Sequence, residues 1–300
     1  MSKRMNAVRT AALYLILVLF LSFAFLSHTV IFSSRISCFL KPDKVAKGSV
    51  LIMVFQDLDD DKKYLLKVKG NRLYEYQINN IKYYTVKLIG IPLDSPAKIH
   101  ITLLEDGEEV FEHDLKVYEK KVDVSHIKVM QKYVEHPESL QERIFKENQM
   151  KLDAKKSILV ERLFFGAPGY PVAKMSISTP FGFKRIYNDQ KKSIHYGTDL
   201  AAPLGTPVKT IFEGRVVLAE NLYYTGNTVF INHGDGLISL YAHMDKPNVK
   251  ENQMVKKGDV IGTVGQTGRS TGPHLHLGVY INRVTVDPMS LFQVMSMKED

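Results

Sequence analysis

Apolar and polar positions divide the chain into four regimes. Ala11 to Phe32 is an uncharged run, almost wholly apolar from Leu13 to Leu21, then diluted by Ser22, Ser27, His28 and Thr29. At about 1.5 Å rise per residue this run covers roughly 33 Å as a helix, enough to cross a hydrocarbon core of about 30 Å. From Gly48 to Lys121 the pattern shortens to strand-length segments: Val50–Phe55, Tyr64–Lys69, Leu73–Ile78, Lys98–Leu104 and Val110–Tyr118. Gly70-Asn71 and Asp106-Gly107 supply turns, the latter a hairpin signal because both residues tolerate positive φ. Phe111, His113, Leu115 and Val117 share one face of their strand. From Val122 to Ile158 the period lengthens. Leu140, Ile144, Met150 and Leu152 recur at near-helical spacing among Glu and Lys, which predicts a solvated amphipathic linker helix holding His126 and His136. From Phe164 onward short strands return: Val208–Phe212, Gly214–Glu220, Thr228–Asn232, Leu237–His243, Val260–Val264 and His274–Ile281. Gly-rich turns separate them, and no helical period of useful length follows Phe181.

The expected architecture is mainly β. Residues 1–10 form a cytoplasmic N-terminus and 11–32 a transmembrane signal anchor. Residues 48–121 form a small antiparallel, immunoglobulin-like β-sandwich, 122–163 a partly helical linker, and 164–300 an antiparallel β domain. Lys3, Arg4 and Arg9 precede the apolar run, so the positive-inside rule sends the C-terminal domains out of the cytoplasm. The length of the run favours an uncleaved anchor over a cleaved signal peptide, and both export the rest.

Charge and cysteine narrow the picture. The net charge of +8 favours anionic partners such as a lipid surface, a nucleic acid or an acidic wall polymer. No nucleic-acid motif accompanies it, so no nucleic-acid partner is expected. Cys38 is the only cysteine, which excludes an intramolecular disulfide. Its context, Ser34-Arg35-Ile36-Ser37-Cys38, is not a lipoprotein box.

The candidate chemistry is imidazole chemistry. His195-Tyr196-Gly197-Thr198-Asp199 is no helix, and on a straight strand its ends stand about 13 Å apart. The chain must bend for both to reach one ion, and Gly197 permits the bend. In Gly272-Pro273-His274-Leu275-His276 the two histidines share a strand face, with Leu275, Leu277 and Val279 on the other. His243 ends an apolar strand, where a core role is the simpler reading. Taken together, His, Asp and His make a three-ligand N/O set with an open fourth position, as catalytic zinc sites have. Two imidazoles are left to act on water. Zinc brings bound water to a pKa of about 7, so the chemistry inferred is metal-assisted amide hydrolysis.

These segments resemble the LytM/lysostaphin-type zinc metallopeptidases. So do Pro180-Phe181-Gly182, Leu200 to Val208, Gly226-Asn227-Thr228-Val229 and Val255-Lys256-Lys257-Gly258-Asp259, in family order from Ser178 to Leu291. The resemblance implies a groove between antiparallel sheets with Zn²⁺ on its floor, held by His195, Asp199 and His276. It makes His243 and His274 the catalytic histidines and peptidoglycan peptides the substrate. Arg269, in the Gly268–Gly272 loop, and Asn227 are the expected substrate contacts. The upstream domain more loosely resembles that of membrane-anchored Gram-negative members, which places the protein in the inner membrane with its C-terminal domains in the periplasm. A catalytically silent scaffold that activates other wall hydrolases is the alternative, and the intact five-residue set argues against it. His233, in a turn, is expected to hold that turn by hydrogen bonds. Val255 to Gly262 also looks like a biotinyl-carrier hairpin, but the carrier lysine is missing from the turn.

Overall fold

The computed structural model describes residues 29–32, 36–42, 44–78, 84–122, 124–128, 138–189 and 191–296. The anticipated anchor lies outside these residues except at its end. There Thr29–Phe32 is a β-strand paired antiparallel to Ser37–Lys41, with Thr29 opposite Leu40. The last four residues of the expected anchor are thus extended and paired in a sheet. Among the described residues no helix is long and apolar enough to cross a membrane.

The upstream unit has two sheets. One orders Thr29–Phe32, Ser37–Lys41, Val50–Gln56 and Tyr84–Gly90. The other orders Val45–Ala46, Glu108–Tyr118, Lys98–Glu105, Tyr64–Lys69 and Leu73–Ile78. Alternation explains the packing: along Tyr64–Lys69 every second residue is buried, and the same holds along Ser37–Lys41. Leu40, Met53, Phe55, Leu66, Ile101 and Phe111 meet in one core, where Phe55 and Phe111 contact edge to face. Cys38 lies within it, and burial pushes its thiol up to about 12. Asp106 and Gly107 make the hairpin turn at φ +49° and +96°.

The C-terminal unit is a ten-stranded sheet. Its path runs Ile177–Thr179, Thr198–Ala201, His274–Ile281, Leu237–Pro247, Gly226–Asn232, Gly214–Leu222 and Met254–Val255. The central strands are buried on both faces, and alternate residues sort into two cores. Leu275, Leu277, Val279, Tyr241, Val229 and Ile231 enter the main core. Ile238, Leu240, Ala242, Phe230 and Tyr280 face the other way, under the helix Glu138–Lys156.

That helix is largely exposed but docks on the sheet. Its buried residues are Glu147 and Ala154, while Leu152 of the anticipated stripe is exposed. Glu147 accepts from Arg143 Nε at 2.7 Å and from the Tyr223 backbone N–H at 2.8 Å, so the charge that docks the helix is fully partnered. His126 lies outside the helix, in a strand Val124–Ile127 that runs parallel to Lys184–Tyr187. The β-branched ends of that segment favour extension, and the helical period begins only beyond Pro137. His136 lies outside the described residues. Among the described residues a further helix, Pro288–Ser296, was not anticipated. It is only nine residues long, too short for a period to show, but Asp287 caps it and Pro288 opens it.

The two units touch on the side away from that first helix. Val50 and Leu88 join the main core of the C-terminal unit. Asp235 receives Lys87 Nζ at 2.6 Å and Arg162 at 2.5 Å. Ser290 Oγ accepts the Val50 N–H at 2.8 Å.

Candidate metal centre

Backbone pairing assembles the site. Asp199 and His276 sit opposite one another in neighbouring strands, and Ala242 flanks His276 on its other side. The sheet face that carries His274 and His276 continues through Gly278 to Tyr280, while the residues between them enter the core. His195 precedes the strand of Asp199 and is 3% exposed. One ligand atom each from His195, Asp199 and His276 falls within 4.8 Å of the others.

The close contacts are definite. His195 Nε2 is 2.9 Å from Asp199 Oδ1 and 3.0 Å from His276 Nδ1. His276 Nδ1 is 2.7 Å from the same Asp199 oxygen. Arg185 pairs with the other oxygen, Oδ2, so Oδ1 is left toward the imidazoles. Burial pushes the Asp199 carboxyl up, but hydrogen bonds from His195 and His276 outweigh this and hold it well below the usual carboxylate range. Burial holds His276 below the ordinary imidazole value, against the pull of Asp199. Two imidazole nitrogens and a carboxylate oxygen converge there, a donor set that suits a borderline-soft divalent ion.

Gly197 matters through space and not through φ. A Cβ there would lie 2.5 Å from His276 Nε2 and 2.5 Å from the Leu277 carbonyl oxygen. The bend after His195 therefore lets His276 approach the backbone.

His243 and His274 complete the cluster, with ring centroids 4.8 Å apart. Strict alternation after Ala242 would aim His243 into the core. Its φ of +60° and the irregular pairing that follows turn the ring into the site. His243 Nδ1 donates to the Thr267 carbonyl at 2.8 Å, and His274 Nδ1 to the Gly272 carbonyl at 2.8 Å. Each ring therefore has Nδ1 engaged and Nε2 left for the site, and that of His274 lies 3.7 Å from Asp199 Oδ1. Burial, helped by the neighbouring imidazoles, lowers His243 to about 3.

A groove of about 520 Å³ opens over these rings. His195, His243 and His276 line it, with Tyr196, Tyr224, Arg269 and residues of the helix Glu138–Lys156. Arg269 stacks 4.7 Å above the Tyr224 ring. Asn227 is not among the residues that line the groove; its amide donates to the Asp245 carbonyl at 2.6 Å and accepts from Asn221 at 2.8 Å. His233 is fully buried between the Glu213 carbonyl and Ser239 Oγ and holds its turn. Arg185 and the helix lysines were not anticipated, because their side chains approach from segments without a readable motif.

Residues 193–288 match Peptidase family M23. The chain carries an M23 peptidase domain. Its M23 region is similar to peptidoglycan DD-endopeptidase ShyA of Vibrio cholerae, 43% identical over 122 residues, which is 40% of this chain and 28% of that protein. It is also similar to DD-carboxypeptidase/endopeptidase Mpg of Neisseria meningitidis, 41% identical over 121 residues, again 40% of this chain and 28% of that protein. The alignment thus spans under a third of these curated relatives. A crystal structure described as a putative peptidase M23 from Pseudomonas aeruginosa superposes with a TM-score of 0.62 at 27% identity. It covers 83% of this chain and 95% of that one, so the likeness extends beyond the M23 domain.

Proposed function

We propose that the protein is a zinc-dependent peptidoglycan endopeptidase that hydrolyses amide bonds in peptide stems or cross-bridges. The observation that carries this reading is the convergence of His195 Nε2, Asp199 Oδ1 and His276 Nδ1 beside two further imidazoles in an open groove. Those three side chains would hold the zinc ion. Bound there, zinc supplies Lewis-acid activation of water and of the scissile carbonyl. His243 and His274 do the proton work. The carbonyls of Thr267 and Gly272 fix Nδ1 as the protonated nitrogen, which leaves Nε2 to accept a proton from the attacking water. Once protonated, the same nitrogen can donate to the developing oxyanion or to the leaving amine. Arg185 holds the other oxygen of Asp199 and so orients its carboxylate.

The substrate assignment is supported by the relatives' names, two of which specify endopeptidase activity. The D-alanyl–diaminopimelate cross-link is the proposed bond. Membrane attachment is proposed from the sequence: residues 11–28 remain uncharged ahead of the first strand and cover about 27 Å as a helix. This arrangement would put the groove in the periplasm, next to the wall.

Mass spectrometry of muropeptides after digestion of purified peptidoglycan tests the reading. Cross-linked dimers should become monomers with a new D-alanine terminus. Dimers left intact by a zinc-loaded protein would favour the silent scaffold instead.

A further inference from the structure

The groove over the histidines has an unbalanced charge. Among the described residues its lining includes Lys151, Lys155 and Arg269, besides Arg185, which is paired with Asp199, and no aspartate or glutamate. Lys151 and Lys155 stand one turn apart on the helix Glu138–Lys156, so both point from one helix face toward the same space. The nearby Glu147 acts on Lys151 through its field alone, because its oxygens are engaged by Arg143 and the Tyr223 N–H. Lys155 lies 5.2 Å above the Tyr280 ring, at the floor of the groove. Neither lysine has a carboxylate within ion-pair distance among the described residues.

We propose that Lys151 and Lys155 form, with Arg269, a subsite for substrate carboxylates, so that the groove selects peptide stems by their negative charge. This rests on the endopeptidase reading of the same groove and names the chemistry of what it takes. Two partly buried ammonium groups on a rigid helix repel each other until an anion lies between them. Consistent with this, burial holds both below the ordinary lysine value; at Lys151 it does so against the pull of Glu147, with Lys155 and Arg269 adding to the lowering. Peptide stems carry free carboxylates beside the cross-link, which is the complementary feature. The subsite also gives the helix a role beyond packing: it supplies one wall of the binding site.

The test uses the full-length protein in detergent, loaded with zinc, and two soluble cross-linked stem peptides. One keeps its free stem carboxylates and the other has them amidated. Turnover and equilibrium binding of a fluorescent version are measured for each. The wild type should favour the free-carboxylate peptide by about tenfold, mostly in KM, and lose that preference as salt rises. The Lys151→Gln/Lys155→Gln double variant should treat both peptides alike, and Lys151→Arg/Lys155→Arg should restore the preference. Retention of the preference by the glutamine variant overturns the proposal. So does an equal gain on both peptides, which would make the helix only a cover. Should the wild type cleave neither peptide, the endopeptidase reading falls, and the binding preference alone then decides the subsite.

Discussion

Asp199 and His276 are direct partners across adjacent antiparallel strands, and their side chains meet at 2.7 Å, Oδ1 to Nδ1. Seventy-seven positions apart in sequence, they are brought together by a ladder of backbone hydrogen bonds rather than by a flexible loop. His195 joins them at the mouth of the same strand. A site built this way is preorganised, and its parts separate cleanly into those that hold the ion and those that act on water.

The separation predicts different failures for the two histidines of one strand. His276→Ala should leave the protein without zinc. His274→Ala should keep most of its zinc and lose about 10²–10⁴-fold in kcat, with KM little changed, because its Nε2 handles a proton. Zinc analysis alongside steady-state kinetics checks this. An empty site in His274→Ala would reverse the assignment.

Gly197 gives a steric prediction. The added methyl of Gly197→Ala meets the His276 ring and the Leu277 carbonyl oxygen. The backbone oxygen cannot move away, so the imidazole must. Stability should fall by about 1–3 kcal/mol, and zinc should bind much more weakly. Thermal melts with and without zinc read both effects, and a variant with wild-type zinc-induced stabilisation contradicts the packing argument.

Arg185 pairs with the Asp199 oxygen that faces away from the imidazoles. Arg185→Gln should weaken zinc binding about 10–100-fold without unfolding the chain, as is usual when a partner of a metal ligand is removed. Competition against a chelator measures the affinity. An unchanged affinity would show that Asp199 needs no such support.

How far this was legible in the sequence follows from the kind of signal each residue leaves. His274-Leu275-His276 announces itself, because strand periodicity puts both rings on one face and the alternate residues in the core. The bend at His195 to Asp199 was legible from Gly197, although the close approach of His276 that explains it is a tertiary fact. His243 was ambiguous, because its direction depends on a positive φ that ordinary residues rarely adopt. Asn227 was undecided by sequence, since a polar residue near a site motif looks the same whether it faces substrate or bonds within the fold, as its amide does to the Asp245 carbonyl. The helix Glu138–Lys156 was visible by its period, but its docking was not. The contact is made by Glu147 and Ala154, which no hydrophobic stripe marks.

A pH prediction comes from outside the site. Burial holds His233 at about 4 in the folded chain, whereas in the unfolded chain it titrates near 6.5. Between these values the unfolded state binds more protons. The contribution is fully present above about 6.5 and is lost as pH falls toward about 4, amounting to about 3 kcal/mol across that window. Urea unfolding at a series of pH values measures the slope. His233→Asn should flatten it, and an identical slope in that variant would remove His233 as the source.

Metal removal and restoration during digestion of purified peptidoglycan tests the central claim most directly. The protein is stripped with a chelator, then assayed with and without one equivalent of zinc, and released muropeptides are weighed. Cross-linked dimers should persist with the stripped protein and disappear when zinc returns, with no recovery in Asp199→Ala. Full cleavage by the stripped protein, or by Asp199→Ala, would contradict it.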